Sequence, residues 1–242
     1  FLLTNTPREG GRHFRFRLRE LNAADRRHVG MRTAMLLYPG FTALDAIGPY
    51  HALAGIPGYE FAFVAEKAGP VSNGGSFTME AQMSIDELAH VDVLVVPGGV
   101  AAIGMARRGH VLVDWIREMH PNTQWTTSVC TGALLLGAAG ALRDLPATTH
   151  WYSHAELADY GAIPTDARVV EHGKVITSAG VSAGIDMSLV LVERIMGTEY
   201  AQAAQLDMEY DPAPPFDAGH PRSAPPAVTA WLKGMYDDML GG

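Results

Sequence analysis

The sequence predicts an α/β fold in which a mostly parallel open sheet carries helices on both faces. Strand-like and helix-like segments alternate along most of the chain, which is the pattern of such a sheet. Residues 91–96 are Val and Leu with a single Asp, closed by Pro97-Gly98-Gly99, as expected for a parallel strand buried on both faces. With 242 residues, 48% of them hydrophobic, the chain is long enough for one domain with a substantial core.

The first half of the predicted sheet begins with residues 33–38, an apolar strand that a Pro-Gly pair ends. Residues 45–54 have the spacing of a helix, although they include one Gly and one Pro. Residues 59–65 alternate aromatic and small side chains, which predicts a second strand. Residues 71–79 contain an Asn-Gly-Gly sequence between short apolar segments, and this pattern favours a hairpin.

The second half repeats the alternation after the buried strand. Residues 111–119 have helical spacing, and the strand predicted at 125–129 leads directly into a helix of small residues at 131–139. A further strand at 174–178 is followed by a long helix at 182–196. Each parallel strand is therefore expected to be joined to the next by a helix that packs on the sheet.

The two ends of the chain differ from this pattern. Residues 1–30 hold seven arginines and predict an extension, which is either a basic arm for an acidic partner or a segment outside the domain. Residues 31–211 form the predicted catalytic domain. Residues 212–242 form a Pro-rich segment and a terminal helix that wrap the surface or a partner subunit, anchored by Tyr210 and Phe216.

Composition excludes several classes of function. The formal net charge of -8 argues against a nucleic-acid-binding protein, so a small-molecule partner is expected. A single cysteine permits no intramolecular disulfide and no thiolate zinc site, which favours a reducing, cytoplasmic setting. The ten histidines show no metal-binding spacing, so no metal is expected. No apolar run approaches the roughly 20 residues that cross a bilayer, which predicts neither membrane insertion nor secretion.

The strand ends indicate where the chemistry lies, because ligands of a parallel sheet bind beyond the carboxyl ends of its strands. Cys130 stands where a predicted strand turns directly into a helix, as in a nucleophile elbow with a sparsely populated backbone conformation. Helix amides beneath the sulfur are expected to lower its pKa and favour the reactive thiolate. The alternative is that Cys130 is an ordinary buried apolar residue.

Four further residues near strand ends are candidates, each with a structural alternative. Gly98 and Gly99 predict accessible amides that form an oxyanion site with the amide of Thr131, or otherwise a tight turn. Asp45 starts a predicted helix, where an N-cap is the ordinary role and general acid-base catalysis is the functional one. Thr131 is an ordinary first-turn residue unless its hydroxyl faces the substrate.

His150 offers a possible base for Cys130, because a cysteine and a histidine in contact are a common nucleophile-base pair. It follows two threonines and precedes Trp151. The residue directly after the cysteine, however, is Thr131 rather than histidine. The sequence therefore leaves open whether His150 belongs to the site.

The chain resembles the ThiJ/PfpI superfamily from about residue 31 to about residue 228, and within it the isonitrile-hydrating branch. The cysteine elbow and the Gly-Gly pair are common to the superfamily, whereas the Cys-Thr-Gly sequence, the Thr-Thr-His-Trp block and the Pro-rich tail are more specific to that branch. The resemblance rests on Leu44-Asp45-x-x-Gly48-Pro49, Val96-Pro97-Gly98-Gly99, Ser128-Val129-Cys130-Thr131-Gly132, Ala147-Thr148-Thr149-His150-Trp151, Ala183-Gly184-Ile185-Asp186 and Pro212-Ala213-Pro214-Pro215-Phe216-x-Ala218-Gly219.

This resemblance implies a flavodoxin-like three-layer sandwich, similar to class I glutamine amidotransferases, and a homodimer without cofactor or metal. It implies hydration of isonitriles to N-substituted formamides through a thioimidate on Cys130, with water as the second substrate. Asp45 would transfer protons, Thr131 would tune the site, and Val181 would lie near the cysteine helix.

Three other functions remain open from the sequence. Other superfamily activities, such as peptidase, amidase or glyoxalase-like deglycase, commonly carry histidine after the cysteine, where this chain has Thr131. A transcriptional regulator of the arabinose-regulator type would need a helix-turn-helix module, for which the tail leaves no room. A redox sensor would use a low-pKa Cys130 without a committed substrate.

Overall fold

The computed structural model describes residues 30–241, and these form a three-layer α/β sandwich. Seven of the strands in this part of the chain make one sheet, in the order β10-β11-β7-β6-β1-β2-β5. The strands are β1 (Arg32–Leu36), β2 (Glu60–Ala65), β3 (Gly69–Ser72), β4 (Thr78–Ala81), β5 (Met83–Ser84), β6 (Val93–Val96), β7 (Trp125–Val129), β8 (Pro146–Ala147), β9 (Ile163–Pro164), β10 (Val169–His172) and β11 (Val175–Ser178).

Helices cover both faces of this sheet. On one side α1 packs on α5 and α5 on α6, while on the other α2 and α3 pack on α4. In the part of the chain that the structure describes, 3-10 helices at Ile85–Glu87, His120–Asn122 and Trp151–Tyr160 complete the connections. The α-helices are α1 (Ala43–Leu53), α2 (Val100–Arg108), α3 (Val111–Met119), α4 (Gly132–Ala138), α5 (Ala183–Met196), α6 (Thr198–Asp207) and α7 (Pro226–Leu240).

The pairing confirms the predicted sheet. All neighbours in the sheet are parallel except the edge pair β10 and β11. The five central strands, counted along the chain, lie in the order 2-1-3-4-5, which is the flavodoxin-like arrangement. Strand β6 is buried along its whole length, as its apolar sequence predicts. The direction of winding reverses between β1 and β6, so the loops after these two strands form a crevice.

Most predicted elements are present within two or three residues of their expected limits, including the hairpin, which is β3 and β4. Helix α2 was not expected, because a glycine lies in its interior and a Gly-Gly pair precedes it. The antiparallel edge strand β10 was also not expected, because its sequence mixes Val with charged residues.

The tail is anchored to the domain by polar contacts. Tyr210 donates from its hydroxyl to Asp186 at 3.0 Å, as its predicted anchoring role requires. The same expectation is wrong for Phe216, which is 78% exposed. Further along, His220 and Arg222 both contact the Asp166 carboxylate. The division at residue 211 stays a prediction, and the predicted extension at 1–30 lies almost wholly outside the described residues.

Candidate active site

Cys130 occupies a strained elbow between β7 and α4. Its φ of 56° lies in the left-handed region, which a side chain at Cβ disfavours and which matches the elbow geometry expected from the sequence. Its N–H donates to the carbonyls of Ser178 and Ala179 at 3.1 and 2.9 Å, and its carbonyl accepts from the Thr149 hydroxyl at 2.7 Å. These bonds hold the backbone in a conformation that it would not adopt by itself.

The elbow also depends on Gly132, the second residue after the cysteine. A Cβ atom at this position would lie 2.2 Å from the carbonyl oxygen of Val96, a backbone atom of the adjacent strand. Only glycine therefore allows α4 to begin so close to β6. The close approach brings the end of β6 and its Gly98-Gly99 turn against Cys130.

Asp45 lies in the first turn of α1 and points into the protein rather than at its own helix. Thr42 is the N-cap, so the predicted capping role of Asp45 is wrong. The carboxyl is fully buried, and Oδ2 accepts the N–H of Gly98 at 2.9 Å. Oδ1 is buried without a hydrogen-bond partner among the described residues. A buried carboxyl with an unused oxygen is available to a ligand or to a neighbouring proton donor.

Asp45 and Cys130 perturb each other's ionisation. Burial raises the pKa of Asp45 to about 7, against the lowering effects of the Gly98 N–H and the Cys130 thiol. Burial, followed by the nearby Asp45 charge, raises the pKa of Cys130 to about 12. The prediction that Cys130 has a low pKa is therefore wrong. Near neutral pH the thiol keeps its proton and the carboxyl beside it can accept one.

Several groups oppose this effect and favour the thiolate. The backbone N–H groups of Thr131 and Val181 and the Thr131 hydroxyl all lower the pKa of Cys130. The elbow amides thus act in the direction that the sequence predicts, but burial outweighs them. Hydrogen bonds of this kind favour a negative charge on the sulfur.

Thr131 connects the elbow to the Gly98-Gly99 turn. Its Oγ1 accepts the N–H of Gly99 at 2.8 Å and lies 2.8 Å from the carbonyl oxygen of the same residue. The hydroxyl has one hydrogen, so it donates either to that carbonyl or to Cys130. Thr131, which the resemblance implies would tune the site, therefore contacts both the Gly98-Gly99 turn and Cys130.

The Gly98-Gly99 amides do not form the open cradle that the sequence predicts. The Gly98 N–H is bonded to Asp45 and the Gly99 N–H to Thr131, so neither is free for an anion. A Cβ atom on Gly98 would lie 2.6 Å from the Thr131 nitrogen and 2.9 Å from Oδ2 of Asp45. The turn positions the acid, and the amides that face the sulfur are those of Thr131 and Val181.

A cavity of about 600 Å³ lies beside the elbow. Thr149 and Val181 line it, and both also contact Cys130. His150 and Trp151 form another part of the wall, and residues 219–222 of the tail close the far side. The cavity therefore lies between the loops that contact Cys130 and the tail, which the sequence predicts to wrap the surface.

Sequence reasoning missed two tyrosines near the cysteine. Tyr38 is buried just after β1 and donates to the carbonyl of Pro97 at 2.7 Å. Tyr236 on α7 packs its ring against His150 at 5.5 Å, and after burial the nearby Cys130 charge raises its pKa. Tyr38 is the last residue of the strand predicted at 33–38, so its position at a strand end could have identified it as a site residue. No sequence pattern identifies Tyr236, because it lies more than 100 residues after Cys130 in the chain.

Residues 30–241 contain neither a metal-binding cluster nor a membrane-spanning helix. No group of three or more His, Cys, Asp or Glu side chains in this part of the chain is arranged to hold a metal ion. No helix there is both long enough and apolar enough to cross a membrane.

A flavodoxin-like sheet, a cysteine in a strained strand-to-helix elbow and a buried acid from the first helix define a class of α/β proteins. The chain belongs to the DJ-1/PfpI family, whose sequence model matches residues 31–194. That match includes Asp45, Cys130, Thr131 and Val181 and excludes the tail.

Relatives within this family differ in activity. The chain is 40% identical to an isonitrile hydratase from Pseudomonas putida, over 83% of this chain and 87% of that protein. It is 27% identical to a deglycase from Pyrococcus abyssi, over 61% of this chain and 89% of the relative. A crystal structure of a ThiJ/PfpI family protein from Pseudomonas syringae has a TM-score of 0.81 at 36% identity, covering 87% of this chain and 88% of that one.

Proposed function

We propose that this enzyme hydrates isonitriles to N-substituted formamides, with Cys130 as nucleophile. The observation that carries the proposal is the buried pair in which a protonated Cys130 thiol lies beside an Asp45 carboxyl of pKa about 7. An isonitrile carbon must accept both a nucleophile and a proton. Cys130 supplies the nucleophile, and Asp45 delivers the proton. Similarity to the Pseudomonas putida isonitrile hydratase over most of both chains supports the same reaction.

The first step forms a thioimidate. The Asp45 carboxylate takes the thiol proton while the sulfur attacks the terminal carbon of the isonitrile, forming the S–C bond. The lone pair left on that carbon then takes the proton from Asp45, giving R–N=CH–S–Cys130. The amides of Thr131 and Val181 stabilise the charge on sulfur as it develops, which the buried thiol alone does not tolerate.

The second step consumes water. Asp45, again ionised, accepts a proton from water as the oxygen adds to the thioimidate carbon, and the nitrogen gains a proton. The tetrahedral adduct collapses to the formamide R–NH–CHO, the C–S bond breaks, and the remaining water proton restores the thiol. Asp45 therefore carries protons in both steps, which suits a carboxyl whose pKa is near neutrality.

The substituent of the isonitrile is assigned to the cavity beside the elbow. At about 600 Å³ this space exceeds what the reacting C≡N group needs, so it accommodates a sizeable R group. Its lining mixes Trp151 with polar side chains of the loops and the tail. Such a wall favours substituents that combine a ring or chain with hydrogen-bonding groups.

The two alternatives have less support. A redox sensor needs an exposed, low-pKa thiol, whereas Cys130 is 5% exposed and burial raises its pKa to about 12. Enzymes with deglycase, amidase or peptidase activity in this superfamily commonly carry a histidine directly after the cysteine, where this chain has Thr131. Thr131 instead bonds to the Gly99 backbone.

We also propose a homodimer in a cytoplasmic setting, with residues 31–211 as the catalytic domain. Helix α7 carries Val228, Trp231, Met235 and Met239 at intervals of three or four residues, and each is at least 39% exposed. An exposed apolar stripe on one helix face supports subunit contact. A lone thiol supports a reducing compartment.

Turnover of p-nitrophenyl isocyanide and cyclohexyl isocyanide tests the proposed reaction. Absorbance and mass spectrometry should show the formamides with the unmodified enzyme and not with Cys130→Ala or Asp45→Asn. Consumption of methylglyoxal or a peptide in a Cys130-dependent way, with both isonitriles untouched, would move the function to another branch of the family.

A further inference from the structure

Thr149 contacts the Cys130 backbone, and His150 contacts the loop that follows β11. The Thr149 hydroxyl donates to the Cys130 carbonyl at 2.7 Å, which places the next residue beside the elbow. On the other side, a Cβ atom built on Gly180 would lie 3.0 Å from Cδ2 and 3.7 Å from Nε2 of the His150 ring. Gly180 directly precedes Val181, whose N–H faces the Cys130 sulfur. The imidazole therefore lies at the wall next to the reacting centre.

The capping geometry of His150 fixes which ring nitrogen carries the proton. His150 is the N-cap of the 3-10 helix Trp151–Tyr160, and its Nδ1 accepts the N–H of Tyr152 at 3.4 Å. A neutral imidazole with Nδ1 as acceptor has its hydrogen on Nε2. Burial lowers the pKa of His150, so the neutral form prevails at neutral pH.

The remaining contacts of the ring are apolar or aromatic. Trp151 and Tyr236 pack on it at centroid distances of 5.5 Å each. Within residues 30–241, Nε2 has no hydrogen-bond partner, and His150 lines the cavity together with Val181. The ring is thus held rigidly while one N–H donor stays available at the cavity wall.

We propose that His150 is a catalytic residue whose Nε2–H group hydrogen-bonds the substrate nitrogen while water adds to the thioimidate. This inference rests on the proposed isonitrile hydration. When the oxygen adds to the carbon, the C=N electron pair moves to nitrogen, and a fixed donor stabilises the charge that develops there. The imidazole stays neutral throughout, because the proton that the nitrogen finally gains comes from the attacking water by way of Asp45.

Two substitutions separate the two ring nitrogens. His150→Asn keeps an acceptor near the Nδ1 position and removes the Nε2 donor, whereas His150→Gln keeps an N–H donor near Nε2 and disturbs the cap. We expect His150→Asn to lower kcat by about 100-fold, as for loss of one preorganised donor. Intact-protein mass spectrometry during turnover should show Cys130 carrying the mass of one isonitrile, because attack proceeds and hydrolysis stalls. His150→Gln should keep more activity than His150→Asn and accumulate less adduct.

His110→Asn is a matched control. His110 also caps a helix, with its Nδ1 accepting the Leu112 N–H at 3.2 Å, and it lies outside the cavity wall. This variant should keep the unmodified rate.

A wild-type rate for His150→Asn, or a slow rate without adduct, overturns the catalytic role. If His150→Asn does not fold, His150→Gln is compared with His150→Met, which lacks both the cap and the donor, and equal rates overturn the inference. An unmodified enzyme that leaves isonitriles untouched overturns the hydratase function itself.

Discussion

The Asp45 carboxylate raises the pKa of the Cys130 thiol, while the thiol lowers the pKa of the carboxyl. The two groups are buried together, so above a pH of about 7 the pair holds one proton, on the thiol, and below that pH it gains a second, on the Asp45 carboxyl. This coupling gives the proposed reaction a defined pH dependence.

The rate should fall in acid. Below a pH of about 7 the Asp45 carboxyl is protonated and cannot accept the thiol proton. We expect kcat/KM for p-nitrophenyl isocyanide to rise with pH through that value and then level off. Initial rates between about pH 5 and about pH 9 measure the profile. A flat profile for the unmodified enzyme would show that Asp45 does not titrate in the reaction.

Asp45 should also cost stability at the pH where it is active. The unfolded carboxyl loses its proton near 3.8 and the folded one near 7, so the folded state binds more protons between these values and stability falls as pH rises across them. The loss amounts to about 4 kcal/mol at most. Asp45→Asn, which keeps an acceptor for Gly98, should therefore unfold at higher urea concentration than the unmodified protein at pH 8, with a smaller difference at about pH 4.5.

Asp92 provides a control of opposite sign. Burial works against it, but hydrogen bonds from Arg32, Gln124 and His90 together lower its pKa. Stability from such a group is present above its unfolded pKa and is lost in acid. Asp92→Asn should destabilise the protein at pH 8. A stabilising effect of Asp92→Asn, or a destabilising one of Asp45→Asn at that pH, would contradict this assignment of signs.

The Thr131 hydroxyl should matter for both stability and rate. Thr131→Val keeps the shape of the side chain but leaves the buried Gly99 N–H without its acceptor, which costs about 1 to 3 kcal/mol. It also removes a donor that favours the Cys130 thiolate, so kcat should fall. Thr131→Ser keeps the hydroxyl and should stay close to the unmodified enzyme in urea unfolding and in turnover. Equal behaviour of the two variants would assign Thr131 a packing role only.

Gly98→Ala should disrupt the site through contact rather than through backbone strain. The added methyl would lie 2.6 Å from the Thr131 nitrogen and 2.9 Å from the Asp45 carboxylate, so it would force the elbow and the acid apart. We expect a loss of activity greater than about tenfold together with a lower Tm. Gly55→Ala, where no heavy atom lies within 4 Å, is the matched control and should change neither. Normal activity in Gly98→Ala would show that the turn can shift to accommodate the methyl group without moving Asp45 away from Cys130.

The sequence predicts the sheet well because local pattern determines it. An apolar segment such as 91–96 is stable in a folded domain mainly as a buried strand. The transition from strand to helix at Cys130 is indicated by the residues next to it. Helix α2 escapes this reasoning, since Gly104 lowers its helix propensity and packing on α4 compensates.

The site is predicted less completely because its properties depend on long-range contacts. The parallel sheet predicts that the loops after β1 and β6 lie close together, but no local pattern indicates that the Asp45 carboxylate accepts the Gly98 N–H. The pKa of Cys130 is a balance between burial and amide donors, and the sequence shows only the donors. The predicted oxyanion site at Gly98 and Gly99 also depends on long-range contacts. It is wrong because the two amides donate to Asp45 and Thr131.

The tail described above separates two parts of the site along the chain. The family match ends at residue 194, after both Asp45 and Cys130, whereas residues 219–222 line the cavity and Tyr236 packs on His150. The reacting pair and the far wall are thus encoded in different stretches of sequence. A chimera that exchanged tails between relatives would keep the recipient's bond-making chemistry and inherit the donor's choice of substituent. Under the proposed function, substitutions confined to the tail would alter which substituents the cavity accepts and would leave the thiol and its acid in place.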